Sequence, residues 1–201
     1  SVTRRMRAGI DELPDGEYHF KDVLDNDGMG TTNIPVEVRI RIEGEEIWID
    51  FEGSGKQVKG NMNNSYAGLQ ASVLFALKVL VDPDGPTNHG MLEPVHISAP
   101  RESVVNASFP AATASRAQTC QRIIDVMLGA LASAVPERVI AASNGANGVV
   151  TFSGTSSEGR YYLYMETIGG GAGARAYKDG TDGVQVHVTN TSNLPVEALE
   201  N

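Results

Sequence analysis

Apolar and polar residues alternate strictly along two neighbouring stretches of this chain. Val36, Val38, Ile40 and Ile42 are separated by Glu37, Arg39 and Arg41, while Ile47, Ile49 and Phe51 are separated by Trp48 and Asp50. A period of two sends successive side chains to opposite faces, so the pair predicts a β-hairpin with one buried face, turning at Glu43-Gly44-Glu45. Upstream, Glu17 to Leu24 reads as a further strand. It is entered through Leu13-Pro14-Asp15-Gly16, where proline presets φ and glycine closes the turn. Residues 1–12 place Val2, Met6 and Ile10 on one helical stripe.

Two longer stretches carry a helical pattern instead. Tyr66 to Val81 is apolar for most of its length, with Asn64 or Ser65 as N-cap and Asp82-Pro83-Asp84-Gly85-Pro86 as terminator. Ser115-Arg-Ala-Gln118 has the form of a capping box. Beyond it Ile123, Met127, Ala130, Leu131 and Ala134 share a stripe that runs to Pro136, and Cys120 is expected to pack into the core. Short strands are expected at Val95–Ser98, Val139–Ala142, Val149–Gly154, Tyr161–Thr167 and Gln185–Thr189. With no strand–helix–strand rhythm, the reading is an α+β fold (mixed α/β), with β-hairpins and short strands packed against two long helices in one domain over residues 1–201.

Composition narrows the function classes. The 201 residues are 41% hydrophobic and 20% charged, ordinary values for a globular chain, and the net charge of −9 argues against a nucleic-acid surface. The single cysteine excludes an internal disulfide and fits a reducing, cytoplasmic setting. No apolar run reaches membrane-spanning length. The run Asp25-Asn26-Asp27-Gly28 lacks the further ligands of a calcium loop, and neither His89 nor His96 has a second ligand at metal-binding spacing. No metal ligand is expected.

The candidate chemistry gathers near the C-terminus. Tyr162, Tyr164 and Glu166 share one face of a strand that runs into Gly169-Gly-Gly-Ala-Gly173, followed by Arg175, Asp179 and Asp182. Gly169, Gly170, Gly171 and Gly173 can present bare N–H groups to a developing oxyanion. Arg175 can grip a carboxylate or phosphate with two prongs, and Glu166 or Asp179 can act as general base where burial makes it basic enough. Asn63 stands beside a Gly/Asn-rich helix entry, and Arg116 lies in the first turn of a helix, where a cation opposes the dipole and invites an anionic partner. No Gly-Lys-Ser/Thr follows the glycines, so no phosphate-binding loop is present. A set of structural turns closed by Asp-Gly pairs is the competing interpretation.

Glu166 with Gly169–Arg175, then Asp179-Gly-Thr-Asp-Gly183, then Thr189-Asn-Thr-Ser-Asn-Leu-Pro-Val-Glu197, with Pro110-Ala-Ala and Gln121-Arg-Ile-Ile-Asp125, resembles the hydantoinase B/oxoprolinase family. That resemblance spans nearly the whole chain. It implies an internal segment of a longer B-type subunit that opens a cyclic amide or imide, as N-methylhydantoinases and 5-oxoprolinases do. It also implies a hetero-oligomer with a hydantoinase A-like subunit or domain that binds ATP, and a divalent metal in the full enzyme, with no cofactor bound by this segment. Within it, the catalytic candidates are Glu166, Arg175 and Asp179. The substrate-binding candidates are Asn63, Arg116, Gly169, Gly170, Gly171, Gly173, Asp182 and Asn193. Where many members have Gly-Asn, this chain has Arg116, a variant similar to the ketone carboxylase branch. A carboxylase subunit, or a structural inter-subunit segment, is therefore the alternative.

Overall fold

The computed structural model describes residues 1–189 and 192–198. Helix α1 (Val2–Asp11) leads into three strands, β1 (Gly16–Asn26), β2 (Thr32–Glu43) and β3 (Glu46–Asp50). β1 runs antiparallel to β2 with Tyr18 opposite Ile40, and β2 turns back onto β3 with Ile42 opposite Ile47. In that turn Gly44 has φ +57°, a conformation in which a side chain is strained. The alternation does what its period requires: Val36, Val38, Ile40, Ile42, Ile47 and Ile49 are each at most 2% exposed. On the opposite face Arg41 lies 3.8 Å over the Trp48 ring, and His96 stacks on the same ring while its Nε2 meets Glu46 at 2.7 Å.

Helix α2 (Tyr66–Val81), capped by Ser65, connects β3 to β4 (Val95–Ser98), and β4 lies parallel to β3 at the sheet edge. A strand–helix–strand unit is therefore present, contrary to the expectation from the sequence pattern. Four residues bounded by Pro94 and Pro100 are too few to display a period, so the parallel partner was legible only as a short strand.

Helix α3 (Arg116–Leu131) packs against β1, β2 and α2. Ile123, Ile124, Val126, Met127, Ala130 and Leu131 are all buried. Gly129 admits the Phe20 ring, which a Cβ would approach within 2.8 Å. The helix ends before the stripe does, because the Ala134 and Val135 N–H groups both converge on the Leu131 carbonyl at 3.0 Å. The expected capping box does not form. Ser115 makes no side-chain cap, and Gln118 instead pairs with the backbone of Asn147, donating to its carbonyl at 3.3 Å and accepting from its N–H at 3.1 Å. Cys120 is half-buried rather than in the core.

Strands β5 (Gly148–Thr155) and β6 (Tyr161–Ile168) form a separate two-stranded antiparallel sheet. The expected strand at Val139–Ala142 is reduced to a single bridge between Ile140 and Arg175. The one at Gln185–Thr189 is a turn around His187, whose φ of +53° breaks any extended run.

Asn63 and Asp27 hold the loops beneath α2 and α3. Asn63 is fully buried: its Oδ1 accepts from Val58 N–H at 2.8 Å, and its Nδ2 donates to the carbonyls of Val58, Gly60 and Ala112 at 2.9–3.1 Å. Both amide hydrogens are spent on backbone carbonyls and the side chain is sealed from solvent, so Asn63 acts here as a structural tie. The Asp27 carboxylate accepts N–H groups of Met29, Thr31 and Gly60 at 2.8–3.1 Å, which makes the acidic run a closed turn.

Two outcomes follow from these ties. Asn63→Leu leaves buried N–H and carbonyl groups unpaired and should lower the unfolding free energy by about 3 kcal/mol, measured by urea denaturation. For Asp27, burial works against the charged form, but the three backbone N–H groups outweigh it and bring its pKa from 3.8 down to about 2. A depressed carboxylate contributes stability that is complete above its unfolded pKa and disappears as pH falls through the folded one. The melting-temperature gap between the native chain and Asp27→Asn should therefore be constant above about pH 4 and close between about pH 4 and 2.

Candidate functional site

The glycine-rich segment is an irregular ribbon held on both sides. On one side Ala141 N–H donates to the Ala174 carbonyl at 2.7 Å, and Asn144 N–H to the Gly171 carbonyl at 3.4 Å. On the other, Gly171 N–H donates to Val184 at 3.0 Å, and Ala172 and Thr181 exchange a pair of bonds at 2.9 and 3.1 Å. The closeness of these strands is what demands glycine. A Cβ on Gly173 would sit 2.1 Å from the Ala141 carbonyl, one on Gly170 2.5 Å from Asn144 Cγ, and one on Gly169 2.5 Å from the Gly183 carbonyl.

This ribbon divides the four expected N–H donors. Gly169 N–H donates to Asn193 Oδ1 at 2.9 Å while Asn193 Nδ2 returns to the Gly169 carbonyl at 3.2 Å, so the Asn193 carboxamide pairs with backbone. Gly171 is engaged with Val184. Among the described residues, the N–H groups of Gly170 and Gly173 have no acceptor. These two border an open groove of about 520 Å³, lined also by Ser143, Asn144, Asp179 and Asp182. Two exposed carboxylates, two amide donors without an acceptor among the described residues, and one carboxamide thus border one groove.

Glu166 and Arg175 are not part of that lining. Glu166 is exposed on β6, where it accepts from the Tyr164 hydroxyl at 2.6 Å and the Thr167 N–H at 3.0 Å. The hydrogen bond to Glu166, followed by its charge, holds the Tyr164 phenol above its ordinary pKa. Arg175 exchanges backbone bonds with Lys178 at 2.8 and 3.3 Å, and among the described residues its guanidinium makes no ion pair. The expected fold-back of Arg175 onto Glu166 is not formed, because the ribbon runs on past β6 before it turns. Arg116 is exposed at the start of α3 and, among the described residues, likewise has no ion pair.

Sequence reasoning missed the residues that hold the groove in place. His187 Nε2 meets Asp125 Oδ1 at 2.8 Å, with both side chains at most 5% exposed. Ser143 Oγ lies 3.3 Å from both Asp125 oxygens and accepts the Gly145 N–H at 3.1 Å. One turn earlier on α3, Gln121 Nε2 reaches Asn147 Oδ1, the Val186 carbonyl and Thr189 Oγ1 at 2.8–3.2 Å. Asn144, fixed between Ser143 and Asn147, also borders a second polar cleft of about 380 Å³ with Asn26, Asn61, Ser115, Gln118 and Arg122. The signals available were the density of Ser, Asn and Gly at 143–148 and the Gln121-Arg-Ile-Ile-Asp125 and Thr189 motifs, to which sequence reasoning gave no anchoring role. Among the described residues, no three His, Cys, Asp or Glu side chains cluster as a metal ion would require, and no helix is long and apolar enough to cross a membrane.

Comparison with known proteins connects this arrangement to others. The family described as hydantoinase B/oxoprolinase matches residues 1–201. The B-type subunit of a putative D-/L-hydantoinase from Pseudomonas sp. (strain NS671) is 34% identical over 98% of this chain and 35% of its own length. The crystal structure of ATP-dependent caprolactamase from Pseudomonas jessenii superposes with a TM-score of 0.75 at 26% identity, covering 90% of this chain and 32% of that one. A nucleotide-free acetone carboxylase superposes with a TM-score of 0.72 at 16% identity, covering 89% and 26%, a likeness of fold alone. The chain spans about a third of the hydantoinase polypeptide and of the caprolactamase chain. With a match that runs from its first residue to its last, the chain belongs to the hydantoinase B/oxoprolinase family.

Proposed function

We propose that this chain is a segment of the B-type subunit of an ATP-dependent cyclic amide hydrolase, cytoplasmic and hetero-oligomeric. The observation that carries the proposal is the 34% identity to the B-type hydantoinase polypeptide along 98% of the chain. The caprolactamase likeness supports a ring-opening reaction on an amide. A lactam or imide carbonyl is a poor electrophile. A hydantoinase A-like subunit or domain would bind ATP and phosphorylate the carbonyl oxygen, and the full enzyme would hold a divalent metal. This chain would then hold the activated ring while water adds to the carbonyl carbon. The ring C–N bond breaks with a proton passing to the nitrogen, and the bond from that carbon to the phosphate oxygen breaks, with a second water, to release inorganic phosphate. The N-methylhydantoinase and 5-oxoprolinase reactions are the two models for that step.

The groove supplies groups suited to the task. The N–H groups of Gly170 and Gly173 would be donors to the incoming water's oxygen, which gains negative charge as it gives up its proton, the former carbonyl oxygen being tied to the phosphoryl group. Asp179 and Asp182 stand beside them as acceptors for the water's proton, with Asp179 the general base. Arg175 follows the ribbon directly and is free to meet the phosphoryl group. Arg116 and Glu166 lie outside the groove, and a part for them in chemistry would require surfaces beyond it. The ketone carboxylase alternative has the acetone carboxylase fold in its favour, but at 16% identity that likeness extends to fold only.

Asp179 is exposed, so Asp179→Asn should leave the melting temperature nearly unchanged. In enzyme assembled with its ATP-binding partner, ring opening of hydantoin and caprolactam substrates should fall by about 10²–10⁴-fold in that variant, the usual range for a positioned acid–base group. Arg175→Lys should also be harmful, since a point charge does not reproduce a planar fork. Steady-state product formation at the native rate by Asp179→Asn would remove the groove from catalysis.

A further inference from the structure

The β5–β6 hairpin exposes an apolar face that nothing among the described residues covers. In its register Phe152 stands opposite Tyr164, Val150 opposite Glu166, and Gly148 opposite Ile168. Phe152, Tyr162, Tyr164 and Ile168 therefore share one face, and each is between 43 and 58% exposed. The other face is no better covered: Val149, Tyr161, Leu163 and Met165 are 50–72% exposed there, set among Thr151, Ser153 and Thr167, so the hairpin leaves apolar side chains uncovered on both faces. All eight residues of β6 are exposed, and each strand has one edge with no partner strand among the described residues. A lone two-stranded hairpin is marginal in water, and a contiguous aromatic patch with free strand edges is where other polypeptide adds.

We infer that the aromatic face of β5–β6 is a docking surface for the remainder of a family-length polypeptide, which adds a strand edge and an apolar layer over Phe152, Tyr162, Tyr164 and Ile168. The length of the relatives is the reason for this occupant: 98% of the chain aligns with only 35% of the hydantoinase polypeptide. A second copy fits less well, because two chains of net charge −9 repel each other. Docking would also enclose Glu166, which lies on this face. A carboxylate removed from water needs a paired donor, so the covering segment must bring Arg, Lys or several N–H groups to Glu166 beyond the Tyr164 hydroxyl it already has. The inference rests on family membership and not on the chemistry of the glycine groove.

The test compares hydrogen exchange at the Tyr162, Tyr164 and Glu166 amides in residues 1–201 and in the protein made from the complete reading frame. The expected result is slowing by at least about 10³-fold in the long protein and near-open exchange in the short one. Phe152→Asp should cut that protection at least about tenfold in the long protein and leave the short one unchanged. Equal exchange in both proteins would overturn the inference, as would protection of the short chain that grows with its concentration, or a reading frame that adds no further residues. Asp179→Asn should leave hairpin protection intact, so a protected hairpin with unaffected ring opening by that variant would discard the groove chemistry and keep the docking surface.

Discussion

The structure depends on a helix that is buried on more than one side. α3 turns Ile123, Ile124 and Met127 into the apolar core, yet in the same turns it carries Gln121 and Asp125 into the interior. A buried carboxylate is tolerable only with partners, and Asp125 finds them in His187, Ser143 and, at 3.8 Å, Arg122. Those partners come from three separate stretches of chain. The requirement to satisfy one anion therefore fastens the 143–147 loop and the turn at His187 to the helix, and the ribbon between them inherits its position. His187 accepts a left-handed backbone to reach Asp125, a conformation that is uncommon for a residue with a side chain.

That dependence explains which parts were legible beforehand. Where a residue's neighbours along the chain decide its fate, as in the alternation from Val36 to Phe51, pattern sufficed. The two helices were also readable, that at Tyr66 from a sixteen-residue apolar run with its cap and Asp-Pro terminator and that at Arg116 from its apolar stripe. The acid-rich turn at Asp25 was separated from a calcium loop by its missing ligands, and the structure gives its Asp27 to backbone N–H groups. Failures fell where distant segments decide. Ser115 was a sound capping residue, but Gln118 had a better offer from Asn147, 29 residues away. Asp125 and His187 lie 62 residues apart, and no spacing rule joins them.

The glycine cluster shows the same division. Its density was visible, and two interpretations of it, ligand approach and tight packing, looked alike in sequence. The structure shows the packing directly and leaves part of the ribbon unpaired among the described residues. Gly169 and Gly171 have their N–H groups engaged, while Gly170 and Gly173 keep theirs beside Asp179 and Asp182. Glu166, Arg175 and Asp179 were grouped because they are close in sequence. A ribbon pinned on both edges separates neighbours along the chain, and only Asp179 of the three enters the groove.

Gly60 has a consequence for how such a chain can diverge. A Cβ at this position would fall 1.9 Å from the Asp27 carbonyl oxygen, and the Gly60 N–H is already bound to the Asp27 carboxylate at 3.1 Å. Backbone and side chain of one residue thus grip the other at contact distance. A side chain at 60 would require the turn after β1 to be rerouted, and loss of the acid at 27 would leave the Gly60 N–H without its acceptor while the Asp27 backbone carbonyl still barred a side chain there. The ban on a side chain at 60 is thus set by backbone alone, and no change of side chain at 27 can lift it.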